Sequence, residues 1–277
     1  MKNRKDGVLL HDPDPFHSIV PYVMPKRTES EVSITEEFDI TKLVKYIEKY
    51  NKKNNTNLKL FHVICYAVAR TIYHRPKLNI FIAGRRYYQR KEITLSFVAK
   101  QKMNDEAVET LLFLNVKPEM TLDEISHIIL GDVKKARTSG TNDLDKTMDF
   151  VGKLPRPILE LLFFVIRRME YHGITPDFIT KGDPNYSTVL LSNLGSIKSN
   201  SCYHHLSNYG TCSIMGTIGK MKEAENKITL PVTITLDERI SDGFYFAKSL
   251  RLIKYILEDP KVLTEKISDP IPEGLFD

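Results

Sequence analysis

The sequence predicts a mixed α/β protein of two layers, in which one large mixed sheet is covered by helices. Three observations carry this. Ile228, Leu230, Val232, Ile234 and Leu236 alternate strictly with Thr229, Pro231, Thr233 and Thr235, the period of a half-buried strand. Leu60, Val63, Ile64, Ala67, Val68, Thr71 and Ile72 recur at the spacing of an amphipathic helix. Strand and helix patterns are mixed along the chain, and no linker, repeat or low-complexity stretch divides it. A single domain over residues 1–277 is expected.

Each element has its own signal. Residues 1–30 contain Pro13, Pro15, Pro21 and Pro25 and read as an extended N-terminal arm. Val32, Ile34 and Phe38 begin an alternating strand. Asp39 or Thr41 can cap a helix whose stripe is Ile40, Leu43, Val44 and Ile47. Asn51–Asn57 reads as a polar loop, and Pro76 ends the helix that begins near Leu60. Gly84 punctuates a hairpin between Asn79–Ile82 and Tyr87–Gln89. Strands follow at Ile93–Ala99 and Val108–Leu114. Thr121-Leu-Asp-Glu124 is a capping box for a helix with Leu122, Ile125, Ile129 and Val133.

Residues 140–186 differ in character and read as a helical insertion. Pro155 and Pro157 precede a helix with Ile158, Leu161, Leu162, Val165, Ile166 and Met169, and Gly173 and Pro176 close it. Such a helix could cover the sheet or meet another subunit, but ordinary core packing is the expectation. Strands are then expected at Thr188–Asn193 and over Cys212, Ile214, Gly216 and Ile218. A last helix starts near Asp242, carries Phe246, Leu250, Ile253 and Leu257, and stops at Pro260.

Composition narrows the function classes. Forty basic and 35 acidic residues give a net charge of +5, but the charges are interspersed, so no nucleic-acid footprint is expected. Three cysteines, Cys65, Cys202 and Cys212, lack metal-ligand spacing and suit a reducing compartment. Met1–Gly7 is charged and polar, so no secretory leader is expected. The apolar run Ile158–Ile166 is interrupted by Glu160 and is too short to span a bilayer. A cytoplasmic protein without a membrane partner follows. No phosphate-cradling glycine loop is present, since Gly216-Thr-Ile-Gly219 belongs to a strand pattern.

The stretch Asp237-Glu238-Arg239-Ile240-Ser241-Asp242-Gly243-Phe244 lies between the last strand and the last helix. It resembles the His-x-x-x-Asp-Gly signature of chloramphenicol acetyltransferases. In the catalytic domains of dihydrolipoyl acyltransferases this reads Asp-His-Arg-x-x-Asp-Gly. Asp237, Arg239, Asp242 and Gly243 match, and Glu238 stands at the histidine position. Pro25-Lys26-Arg27-Thr28-Glu29-Ser30 resembles the arginine-bearing segment that opens such domains. Leu60 to Asn79, with His62, Ala67 and Pro76-Lys-Leu-Asn79, resembles the second helix and its ending. Leu191-Ser192-Asn193-Leu194-Gly195 resembles the Ile-Ser-Asn-Leu-Gly strand end. These matches are ordered from roughly residue 20 to residue 260. There is no room before Arg27 for a lipoyl-bearing arm, so the resemblance is to a stand-alone catalytic domain.

The resemblance implies acyl transfer between a coenzyme A thioester and a thiol or hydroxyl, at sites between the subunits of a homotrimer. Position 238 would take the proton of the attacking group. Ser192 would donate to the oxyanion, a contact worth about 3 kcal/mol in such sites. Asp242 would pair with Arg27 and hold the turn at Gly243. Glu238 raises two rival readings, a non-catalytic scaffold or ligand-binding homologue and an enzyme with a buried carboxylate base. A plainer role for Glu238 is a surface ion pair with Arg239 or a lysine. Ser192 could likewise merely satisfy a turn. His62, beside an apolar helix stripe, reads as structural. His204 and His205 lie in a polar loop without Cys, Asp or Glu at ligand spacing, so no metal is expected.

Overall fold

The computed structural model describes residues 3–11, 14–100, 109–138 and 151–276. The strictly alternating segment is the strand around which the sheet is built. Lys227–Asp237 (β10) is hydrogen-bonded to strands on both sides. Its even-numbered Leu230–Leu236 side chains enter the main core, and Thr233 and Thr235 face the other side.

The other strands of this sheet are Glu31–Asp39 (β2), Ile93–Lys100 (β5), Glu109–Val116 (β6), Val189–Asn193 (β7), Ile214–Ile218 (β8) and Lys222–Ala224 (β9). The order is β2-β10-β8-β7-β5-β6, with β9 also paired to β10. β5, β7 and β8 run parallel and the remaining pairs antiparallel. β2 is an outer edge and carries Glu31, Glu36, Glu37 and Asp39, with Glu37 paired to Lys222. A second, three-stranded sheet has the order β1-β4-β3, from Gly7–Leu9 (β1), Ile80–Ala83 (β3) and Arg86–Arg90 (β4).

Among the described residues the α-helices are Pro15–Val23 (α1), Thr41–Asn54 (α2), Leu60–His74 (α3), Leu122–Thr138 (α4), Arg156–His172 (α5), Asp177–Thr180 (α6) and Gly243–Glu258 (α7). The apolar sides of α2, α3, α4 and α7 join one face of the large sheet in a single core. α3 is buried along nearly its whole length because α4 and α7 flank it. None of the helices is long and apolar enough to cross a membrane.

Three local expectations change. Residues 1–30 are not simply extended: β1 pairs with β4, and α1 is a capped helix. Asp14 accepts the N–H groups of Phe16 and His17 at 3.0 and 3.1 Å, and Pro15 occupies the first helical position, where its missing donor costs nothing. α2 continues through the expected loop to Asn54, where Asn55 takes a left-handed cap conformation with φ 51°.

The third change concerns α5. Only Ile166 is buried, Leu159, Leu162 and Met169 are half-buried, and Ile158, Leu161, Phe164 and Val165 are exposed. Among the described residues the helix meets β3 and is not enclosed between layers, so one of its stripes finds protein and the other does not. Its seat is fixed at the β3–β4 turn, where a Cβ on Gly84 would lie 2.2 Å from the Tyr171 carbonyl oxygen. Arg4 adds a tie, donating to the Glu170 carboxylate at 2.7 Å and its carbonyl at 2.9 Å. Residues 140–150 of the expected insertion lie outside the described residues.

Candidate active site

The turn after β10 is held from beneath. Asp237 ends the strand with its side chain on the polar face, and Arg239, two residues on, returns to it. Arg239 Nε donates to Asp237 Oδ1 at 2.8 Å and Nη2 to Oδ2 at 2.7 Å, a bidentate pair. Both side chains are at most 2% exposed. Ser30 Oγ adds a donor to Asp237 Oδ1 at 3.1 Å, and Arg239 Nη1 donates to the Met24 carbonyl at 2.7 Å. The N-terminal segment is thereby clamped to the turn.

Glu238 sits between these two buried residues and points outward. Its N–H donates to the Ser30 carbonyl at 2.8 Å, while its side chain is exposed. Its backbone is fixed and its carboxylate lies at the surface of the chain. The expected ion pair with Arg239 is not made, because Arg239 is committed to Asp237.

The expected Arg27–Asp242 pair is also absent. Asp242 is the N-cap of α7, and its Oδ1 accepts the Tyr245 N–H at 2.7 Å. An orphan helix donor claims that carboxylate. Arg27 is 6% exposed and donates to the carbonyls of Ile82 at 3.0 Å and Ser207 at 3.3 Å. Burial pulls its guanidinium below the ordinary arginine range, nearby Asp237 opposes that, and Arg239 adds to it. Arg27 therefore belongs to the Asp237–Arg239 cluster. Gly243 opens α7, and a Cβ there would meet nothing within 4 Å, so this chain's own packing does not demand glycine.

Ser192 lies elsewhere. It is half-buried near the end of β7, on the sheet face away from the main core. Register places it beside Thr217 of β8, Thr217 beside Thr233 of β10, and Thr233 beside Thr35 of β2. A row of hydroxyls thus crosses the sheet, with Thr35 and Thr233 bonded at 2.9 Å. Glu238 is five residues past Thr233 along β10. That is about 17 Å along the strand and about 10 Å across two strand spacings from Ser192. One chain does not bring the two together.

The loop containing His204 and His205 runs along this polar face between those ends. Cys202 N–H donates to Thr217 Oγ1 at 3.2 Å near the Ser192 end, and Leu206 N–H donates to Glu31 Oε2 at 2.8 Å near the other. Glu31 is the register partner of Asp237, so the two exposed histidines lie in the segment beside the Glu238 turn. Sequence reasoning left them in an unplaced loop. His62 is 2% exposed and structural: Nδ1 accepts the Lys59 N–H at 3.3 Å and meets Ser126 Oγ at 2.8 Å. Among the described residues no group of three or more His, Cys, Asp or Glu could hold a metal.

No family model and no curated protein sequence matches the chain. Solved structures do. A probable dihydrolipoamide acetyltransferase from Listeria monocytogenes 4b F2365 is similar with a TM-score of 0.56 at 17% identity, over 89% of this chain and 94% of that one. Azotobacter vinelandii dihydrolipoamide acetyltransferase gives 0.58 at 14%, over 92% and 94%; a serine, a histidine and an asparagine have been investigated there for roles in the catalytic mechanism. A chloramphenicol acetyltransferase gives 0.54 at 14%, over 94% and 100%. The chain has the fold of the chloramphenicol acetyltransferases and the dihydrolipoamide acetyltransferase cores.

Proposed function

We propose that this protein is an acyltransferase-type protein that binds coenzyme A thioesters at sites shared between the subunits of a homotrimer. Glu238 of one copy and Ser192 of the next form the two sides of each site. The supporting observation is the separation of these residues at opposite ends of one sheet, each on a rigid frame. A second copy is the means by which both could touch one substrate. The open space at Gly243 fits the same reading, since a glycine not needed by its own chain leaves room for an approaching neighbour or ligand.

In such a site the acceptor thiol or hydroxyl gives its proton to the Glu238 carboxylate as it attacks the thioester carbonyl. Ser192 donates to the oxyanion formed there. Collapse expels the coenzyme A thiolate, which takes the proton back from Glu238. A carboxylate is a weaker base than an imidazole by about two pKa units, so this chemistry is slow.

The test is calorimetric titration with acetyl-coenzyme A, followed by chromatographic measurement of acyl transfer to a small dithiol. Binding is expected in the native protein. Glu238→His is expected to raise transfer by about 10²-fold, and Ser192→Ala in that background to remove the gain. Failure of acetyl-coenzyme A to bind would overturn the proposal. It would favour a catalytically inactive scaffold, a reading supported by the replacement of the histidine itself.

A further inference from the structure

Two exposed apolar helix faces among the described residues stand outside the proposed chemistry, that of α1 (Phe16, Ile19, Tyr22 and Val23) and that of α5, and the second is ringed by charge. The outward stripe of α5 is Ile158, Leu161, Phe164 and Val165, spaced to share one side of the helix. Just beyond the helix C-cap at Gly173, Ile174 and Phe178 are exposed as well. Leu161 is 63% exposed, Phe164 66% and Phe178 83%. These are protruding side chains on a convex helix, without the concavity of a small-molecule site. Isolated apolar residues at a surface are ordinary, but a contiguous set of this size marks a contact surface.

The charge around the stripe indicates the occupant. Between Lys153 and His172 the exposed cations are Lys153, Arg156, Arg167 and Arg168, against one exposed carboxylate, Glu160. The other carboxylate, Glu170, is turned inward to Arg4. Cations thus flank the apolar stripe at both ends of the helix, and the chain carries +5 overall. We infer that α5 is a docking surface for an anionic lipid bilayer, on which it lies flat with Ile158, Leu161 and Phe164 in the acyl-chain boundary and the arginines among the headgroups. No described helix is long and apolar enough to cross a bilayer, so the contact inferred is with its surface. An apolar stripe ringed by cations matches the layering of acyl chains beneath anionic headgroups.

Vesicle flotation of the full chain tests this, with phosphatidylcholine vesicles and with vesicles containing about 30% phosphatidylglycerol. The protein is expected to float with the anionic vesicles and to be released as salt rises to about 0.5 M. Phe164→Glu and Leu161→Glu are expected to weaken apparent vesicle affinity about tenfold or more. Arg167→Glu with Arg168→Glu should abolish the preference for anionic lipid. Analytical ultracentrifugation of every variant, with circular dichroism to confirm folding, distinguishes the rival occupant. Absence of flotation with either vesicle overturns the inference. So does a fall in oligomer mass in the folded glutamate variants without vesicle binding by the native protein, which would make this face a subunit interface.

Discussion

Asp237 and Glu238 are adjacent carboxylates with opposite situations, and their substitutions should separate framework from function. Asp237→Asn leaves the buried Arg239 without its bidentate partner and Arg27 without the nearby negative charge that offsets its burial. It should cost about 3–5 kcal/mol in urea denaturation. Glu238→Ala, at an exposed side chain, should stay within about 0.5 kcal/mol. A similar cost for both would contradict the assignment of Asp237 as the anchor. Part of this was legible in sequence: the residues of the turn stood out, but Arg239 was offered to Glu238 and Arg27 was paired with Asp242. Asp237 and Arg239 stand two apart at a strand end, so they share a side, and the resemblance placed Arg27 in the same region. The Arg27–Asp242 pair was misread because a motif match carries residue types and not the competing demand of the α7 N-terminus for a cap. The contacts of Ser30 and Met24 to this turn come from more than two hundred residues away, beyond any local pattern.

At the scale of elements, the α3–α4 junction carries a pH dependence. Burial, with the charge of Lys59, pushes the His62 imidazole down from 6.5 to about 4. Because Nδ1 accepts the Lys59 N–H, the neutral ring carries its proton on Nε2, and protonating Nδ1 breaks that bond. In the unfolded chain the ring takes its proton near the ordinary pKa. The stabilisation is therefore full above pH 6.5 and is lost as pH falls toward 4, amounting to about 3 kcal/mol. Thermal melts from pH 7.5 to 4 should show this fall, and His62→Asn should flatten it. The helices and strands themselves were largely readable, since periods of 2 and 3.6 recur in clean runs. α1 was missed because four prolines suggest extension, although one of them sits where a helix tolerates it best. The burial of α5 was wrong for a different reason: periodicity reports which side chains share a stripe, not whether a second layer exists to cover it.

For the whole molecule, a site divided between copies makes a distinctive prediction. In the Glu238→His background, a Ser192→Ala protein is inactive, and so is a separate Glu238→Ala protein. Unfolding and refolding the two together in equal amounts should restore about a quarter of the Glu238→His activity, because about that share of boundaries pairs an intact histidine with an intact serine. If both residues acted within one chain, mixing would restore nothing. An open sheet edge also faces a hazard, and β2 shows how it is contained. Its outer edge offers unpaired backbone groups in an extended row, the usual template for runaway stacking of sheet on sheet. Glu31, Glu36, Glu37 and Asp39 line that strand, so two such edges repel as they approach. The strand thus favours a basic visitor over a copy of itself, and the chain is expected to resist polymerising at high concentration.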